Sequence, residues 1–208
     1  MFELLSADTP NGKKISIMLE ELNLKYKVTK INILKGDQFT PSFSKISPFN
    51  KIPVLKDLKS KKTIFESGAI LIYLGEKYKK FYDKKDRLKI LQWVMAQMAY
   101  VGPMFGQHHQ FHHYNHGKSK FGEERYFRIS RQIYKDLDRR LSKSKYLACS
   151  KYSIADIATF PWVARHEIHD IGLKKFKNLT RWFGLISKRK AVIKGYDFMN
   201  RGEIIPKP

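Results

Sequence analysis

The chain has 208 residues, of which 42% are hydrophobic and 13% aromatic, so it can bury one or two packed cores and is too apolar for a disordered chain. Its longer apolar runs, 68–74 and 154–163, are too short or too interrupted to span a bilayer, and a single cysteine, Cys149, excludes an internal disulfide framework and fits a reducing cytoplasm. The formal net charge is +22, but the lysines are scattered through every segment without a nucleic-acid motif and with few arginine forks for base readout, so they read as a solvated coat that attracts small anions, and nucleic acid is not expected as a partner.

Taken in order, Met1 to Leu5 lacks the basic and apolar regions of a signal peptide, and Phe2–Ser6 reads as a first strand. Residues 7–12 (Ala-Asp-Thr-Pro-Asn-Gly) form a turn. A helix follows with Ile15, Met18, Leu19 and Leu22 on one face, ending near Asn23. Residues 26–31 alternate as a second strand, and strand–helix–strand implies that the two strands are parallel. Residues 35–46 read as a loop with a poor helix broken around Pro41. Val54 with Leu55, and Ile64 with Phe65, are two further strands joined by the polar segment 57–62. Ser67 is the expected N-cap of a helix over 68–77. Residues 78–86 are a charged linker. All later periodic segments are helical: 88–104, 123–141, 154–168 and 179–186. The tail 202–208 is polar.

Two stretches carry chemistry. Ile52-Pro53 offers a backbone that cannot donate at the proline; in the cis form it would turn the Ile52 backbone outward to pair with a peptide-like ligand. Glu66 and Ser67 stand at a helix N-terminus, where unpaired N–H groups accept a carboxylate. Later, Ser153 and Asp156 form an S-x-x-D capping box, read as a folding element whose loss should cost on the order of 1 kcal/mol or more. Cys149 reads as a small apolar filler. His108, His109, His112, His113 and His116 crowd one loop; without cysteine or acidic co-ligands they are not read as a metal site.

The pattern I-P-V-L…E-S-G-A-I-L-x-Y-L resembles the glutathione-binding half of cytosolic glutathione transferases. That family has a thioredoxin-like α/β N-terminal domain and an all-α C-terminal domain, which implies a glutathione-binding domain over 1–80 and a helical domain over 87–208. T-P-N-G-x-K-I-S-I-M-L-E-E-L, with Gln92-Trp93-Val94-Met95-Ala96-Gln97 and Gly102-Pro103-Met104-Phe105-Gly106-Gln107, is similar to the bacterial nu class and its yeast prion-related relatives. The resemblance implies a cytoplasmic homodimer that uses glutathione as cosubstrate, needs no metal, and reduces disulfides. Thr9 and Asn11 would face the glutathione sulfur. Gln38 would touch the glycyl or cysteinyl part, Ile52 and Pro53 would hold the cysteinyl backbone, and Glu66 and Ser67 the γ-glutamyl end. Where that group carries a carboxylate-binding arginine this chain has Gln132, with Arg128 one turn back. Conjugation to electrophiles or reduction of organic peroxides using Ser6 or Thr9, and glutathione binding without catalysis, are the alternatives.

Overall fold

The computed structural model describes residues 1–208, which divide into two compact units, 1–82 with 189–204 and 83–188 with 205–208. This differs from the expected boundaries, because the segment 189–204 joins the first unit rather than the helical one.

The first unit is built on four strands: β1 (Phe2–Ser6), β2 (Tyr26–Lys30), β3 (Val54–Asp57) and β4 (Lys62–Phe65), in the order β2-β1-β3-β4. β1 and β2 are parallel, as a strand–helix–strand unit requires, and β3 runs antiparallel to both β1 and β4. Helix α1 (Pro10–Glu21) buries Ile15, Met18 and Leu19, and β1 and β3 bury Leu4 and Leu55. Asn23 ends α1 in the left-handed conformation, φ 53°, which asparagine tolerates better than most residues. Residues 35–46 hold a 3₁₀ turn, Asp37–Phe39, and a single helical turn, α2 (Pro41–Ser44); Pro41 opens that turn at its first position rather than breaking it. Helix α3 (Ser67–Tyr78) buries Ile70, Leu71 and Leu74.

Helix α10 (Lys190–Tyr196), a segment the sequence left unassigned between the last expected helix and the tail, lies along α1. Arg189 grips the Glu21 carboxylate through two nitrogens, at 2.5 and 2.7 Å, and Ser16 Oγ donates to the Gly195 carbonyl at 2.5 Å. A Cβ on Gly195 would lie 2.6 Å from Ile17 Cα and 2.7 Å from Ile17 N. Alanine would gain about 1 kcal/mol of helix propensity there, but the clash is with backbone and no rotamer relieves it, so overpacking at about 1–3 kcal/mol or more prevails. Gly195→Ala should therefore lower the urea midpoint; an unchanged midpoint would show that α10 can lift from α1 without cost.

The second unit is helical: α4 (Arg87–Ala96), α5 (Gly102–His108), α6 (Lys120–Ser142), α7 (Ile154–Val163), α8 (His166–His169) and α9 (Lys177–Ser187). The expected helix 88–104 runs on as far as Tyr114, through π-helical turns at Gln97–Val101 and His109–Tyr114. The expected helix 154–168 instead divides into α7 and α8. Every residue of α7 is buried, and Phe105, Tyr134, Leu137, Trp182 and Phe183 complete the core. No helix is long and apolar enough to cross a membrane.

Candidate active site

Strand register assembles the site. Leu5 of β1 and Phe65 of β4 both pair with Val54 of β3. The exit of β1, the entry of β3 and the exit of β4 therefore lie at one end of the sheet. β2 runs parallel to β1, so its exit, which leads on to Gln38, faces the same way. Thr9 and Asn11, Ile52 and Pro53, and Glu66 and Ser67 are the residues that leave or enter the sheet at this end.

Each segment has a local cause. Thr9 is extended, and its hydroxyl accepts the Gly12 N–H at 3.3 Å, which caps α1. Pro10 starts the helix and Asn11 follows in its first turn. A Cβ on Gly12 would lie 2.4 Å from Ser6 Oγ and 2.6 Å from the Ala7 carbonyl, so glycine lets this turn close on the end of β1. Ser6 is fully buried and its hydroxyl donates to the Ala7 carbonyl at 3.1 Å, which withdraws it from the candidates for contacting a thiol. The Ile52–Pro53 peptide is cis, and Ile52 packs on the cluster of Leu5, Phe43 and Val54. Gln38 donates its amide to the Ile33 carbonyl at 3.2 Å, while its buried Oε1 lacks a partner.

The N-cap of α3 is Glu66, not Ser67 as the sequence suggested. Glu66 stands at φ 67°, ψ 117°, outside the usual basins for an L residue, at a cost of about 1–3 kcal/mol. Its side chain is exposed and Ser67 is buried as the first residue of the helix, beside the N–H groups that a first turn leaves without intrahelical partners. Beneath them lies Lys14, 1% exposed, whose Nζ donates to Ser67 Oγ at 3.3 Å. Burial pulls the Lys14 ammonium down to about 7, against an opposing attraction from Glu66. Lys13 is equally buried and is ringed by Asp8 Oδ1 at 2.7 Å, the Glu203 carboxylate and the Tyr196 carbonyl at 2.7 Å. The reading of the lysines as a solvated coat is corrected at these two positions. The signal available in the sequence was that Lys14 stands one turn before Met18, on the edge of the apolar face of α1.

Comparison with known proteins decides the family. The glutathione S-transferase N-terminal domain model matches residues 9–77 and the C-terminal domain model matches residues 95–190. The chain belongs to the glutathione S-transferase family. It is 40% identical over 198 residues to the disulfide-bond oxidoreductase YfcG of Escherichia coli, covering 92% of each chain. With the E. coli disulfide-bond oxidoreductase YghU it shares 33% identity over 213 residues, 93% of this chain and 73% of that one. A Burkholderia graminis glutathione transferase with two glutathione molecules bound per subunit superposes with a TM-score of 0.89 at 39% identity, covering 97% of this chain and 89% of that one. One from Pseudomonas putida with a glutathione disulfide bound per subunit gives 0.87 at 40% identity, with 94% and 90% covered.

The remaining transferase candidates lie in the second unit. Arg128 and Gln132 are exposed on α6, and Gln132 donates to Asp136 Oδ1 at 3.1 Å. Cys149 is a free, half-buried thiol donating to the Lys151 carbonyl at 3.4 Å. Burial pushes it up, away from the thiolate form a nucleophile needs. The cleft of about 700 Å³ that it lines with Asp83, Trp93, Arg140 and Lys151 contains none of the residues at the sheet end. The histidines depart from expectation. His108, His109, His112 and His113 are helical rather than on a loop, His116 lies in the turn that follows, and His108 and His109 are buried, joined inside the unit by His166 and His169; of the five, His113 and His116 are exposed. No group of three or more His, Cys, Asp or Glu side chains is arranged to hold a metal ion.

Proposed function

We propose that this transferase is a glutathione-dependent disulfide-bond reductase whose first unit is the glutathione-binding one. The observation that carries the reading is the convergence, at one end of the sheet, of a helix mouth with a threonine and an amide, an Ile52–Pro53 backbone edge, and a second helix mouth with an acid and a hydroxyl. The YfcG and YghU names and the glutathione and glutathione disulfide held by its structural relatives support it. Glu66 suits the γ-glutamyl ammonium, and Ser67 with the N–H groups of α3 suits the neighbouring carboxylate. Ile52 and Pro53 hold the cysteinyl backbone, and Gln38 the cysteinyl or glycyl part. Thr9, Asn11 and the start of α1 supply donors and a positive dipole end that favour thiolate over thiol.

The chemistry is thiol–disulfide exchange. The thiolate attacks one sulfur of the substrate, a glutathione–substrate disulfide forms and the other substrate sulfur leaves as thiolate. A second glutathione thiolate attacks the mixed disulfide, giving glutathione disulfide and the second substrate thiolate. The two electrons come from two glutathiones, and Cys149 takes no part. The protein works as a homodimer in the cytoplasm, with nucleic acid and membrane outside its function.

The test is turnover of bis(2-hydroxyethyl) disulfide with glutathione, against an aryl halide and an organic peroxide. Disulfide turnover should dominate. Thr9→Ala with Asn11→Ala should lower kcat by about 10- to 100-fold with glutathione affinity nearly unchanged. Preferred turnover of the aryl halide or peroxide would overturn the reading in favour of a conjugating or peroxidatic enzyme; glutathione binding with no turnover would mark a carrier.

A further inference from the structure

The turn that carries Thr9 and Asn11 is held by a distant stretch of the same unit. Asp8 stands immediately before Thr9, and both of its oxygens face a cation: Lys13 Nζ lies 2.7 Å from Oδ1 and Arg201 Nη1 lies 3.7 Å from Oδ2. Lys13, 1% exposed, also grips the Glu203 carboxylate and donates to the Tyr196 carbonyl at 2.7 Å. At the other end of the turn Gly12 follows Asn11, and a Cβ there would lie 3.2 Å from Phe198 Cζ. Thr9 and Asn11 are therefore bracketed by contacts from residues 198–203. That segment has its own local cause. The Asp197 carboxylate accepts the Arg201 N–H at 2.8 Å and the Gly202 N–H at 3.1 Å, and Asn200 and Gly202 take positive φ, 53° and 74°. The chain folds back on Asp197 and presents Arg201 and Glu203 to the start of α1.

We infer, on the glutathione reading above, that Glu203 is a positioning residue for the thiol chemistry: through Lys13 it locks Asp8, and with it the donors of Thr9 and Asn11, in the place where they meet the glutathione sulfur. An ammonium taken out of water must be matched by opposite charge. Lys13 therefore draws the Asp8 and Glu203 carboxylates to one point and fixes the turn against the segment 197–204. Charge alone acts the other way. Glu203 is an anion beside a site that has to hold a thiolate, so its field by itself opposes thiol ionisation. As a positioning residue it favours ionisation, by keeping the donors aimed at the sulfur. The two roles give opposite signs when the carboxylate is removed. The other charges of the cluster, Asp8, Lys13, Arg201 and Asp197, which Lys13 also attracts, stay in place.

Two measurements on the whole protein test this: the ionisation midpoint of bound glutathione, read from the ultraviolet absorbance of the thiolate, and turnover of bis(2-hydroxyethyl) disulfide. In Glu203→Ala the midpoint should rise by about one pH unit, and kcat at neutral pH should fall about tenfold. The glutathione dissociation constant should change less than about twofold, because Ile52, Pro53, Glu66 and Ser67 are unaltered; it also reports that the variant is folded. Glu203→Gln keeps an oxygen for Lys13 and should recover most of kcat, with a midpoint at or below that of the unaltered protein. Added to Thr9→Ala with Asn11→Ala, Glu203→Ala should cost nothing further, since it acts through those residues. A midpoint that falls or stays put in Glu203→Ala, a loss of glutathione affinity there, equal losses in the Ala and Gln variants, or an additive loss in the triple variant overturns the role of Glu203 and leaves the glutathione reading standing. Failure of the unaltered protein to bind glutathione removes both.

Discussion

Asp156→Ala should be the most damaging single substitution in the second unit, lowering stability by about 3–5 kcal/mol. The capping box closes as its spacing implied, with the Ser153 N–H donating to Asp156 Oδ2 at 3.0 Å. The carboxylate also accepts the Ser153 hydroxyl at 3.1 Å, the Leu147 N–H at 2.9 Å and the Trp182 indole N–H at 2.8 Å. It is fully buried, and burial pushes its pKa up while these donors oppose the rise. Two effects compete on removal. Deleting a buried carboxylate recovers desolvation energy, and a matched apolar replacement of a buried polar group can be neutral. Alanine is not matched: it leaves the Leu147 and Trp182 N–H groups buried without acceptors, at about 1–3 kcal/mol each, and removes a cap worth about 1 kcal/mol. The losses prevail. Asp156→Asn keeps the volume but turns an NH₂ toward donors, so it should lie between wild type and Ala. Urea unfolding followed by Trp fluorescence reads this directly; a loss under about 1 kcal/mol for Asp156→Ala would reduce the residue to an ordinary cap.

The parts of the fold and site that were legible in the sequence are those fixed within a few residues of chain. Pro10 and Gly12 mark the start of α1, Ser153 and Asp156 mark the start of α7, and the strand–helix–strand order gives the parallel β1–β2 pair. Pro53 and Glu66 could be read as neighbours of a ligand because two short strands connect them. Where tertiary packing decides, the sequence was silent. α10 is helical because Val192 and Gly195 settle on α1, not because its own pattern is strong. Lys13 and Lys14 look like surface lysines until Glu203, Tyr196 and Ser67 are brought to them from other parts of the chain. Ser67 was taken for a cap because serine favours that position, but the left-handed backbone of Glu66 moves the cap back by one. The histidines were misplaced because a loop was expected where the helix continues; the π turn at His109–Tyr114, with its i→i+5 bonding, changes which side chains point inward.

Those buried histidines should make the protein acid-labile well above the range where carboxylates titrate. His109 lies between Trp162 and His169, with ring centroids 5.7 and 4.8 Å away. His169 accepts or donates at Nδ1 to the Tyr134 hydroxyl at 2.7 Å, and His108 Nε2 donates to the His169 carbonyl at 2.8 Å. The second nitrogens of His108, His109 and His169 are buried without partners, so an imidazolium at any of them would hold an N–H with no acceptor. Burial, aided by neighbouring positive groups, pulls His109 down to about 3 and His169 well below its ordinary value of 6.5. Unfolded, both titrate near 6.5. The folded state therefore holds fewer protons than the unfolded chain below that value, and stability must fall as pH falls. Their contribution is complete above about pH 6.5 and is lost progressively toward pH 3. Over the first two pH units of that window His109 alone should cost about 2–3 kcal/mol, at 1.36 kcal/mol per unit and proton, and His169 adds to the loss in the same direction. Urea unfolding at pH 7 and at pH 5 reads this effect, together with that of His108 and His166, which burial also lowers, before most ordinary carboxylates protonate. His109→Phe keeps the aromatic stack without the titratable nitrogen and should remove close to one proton from the slope. Equal stability at the two pH values, or an unaltered slope in His109→Phe, would mean that the interior admits water and protons at these rings.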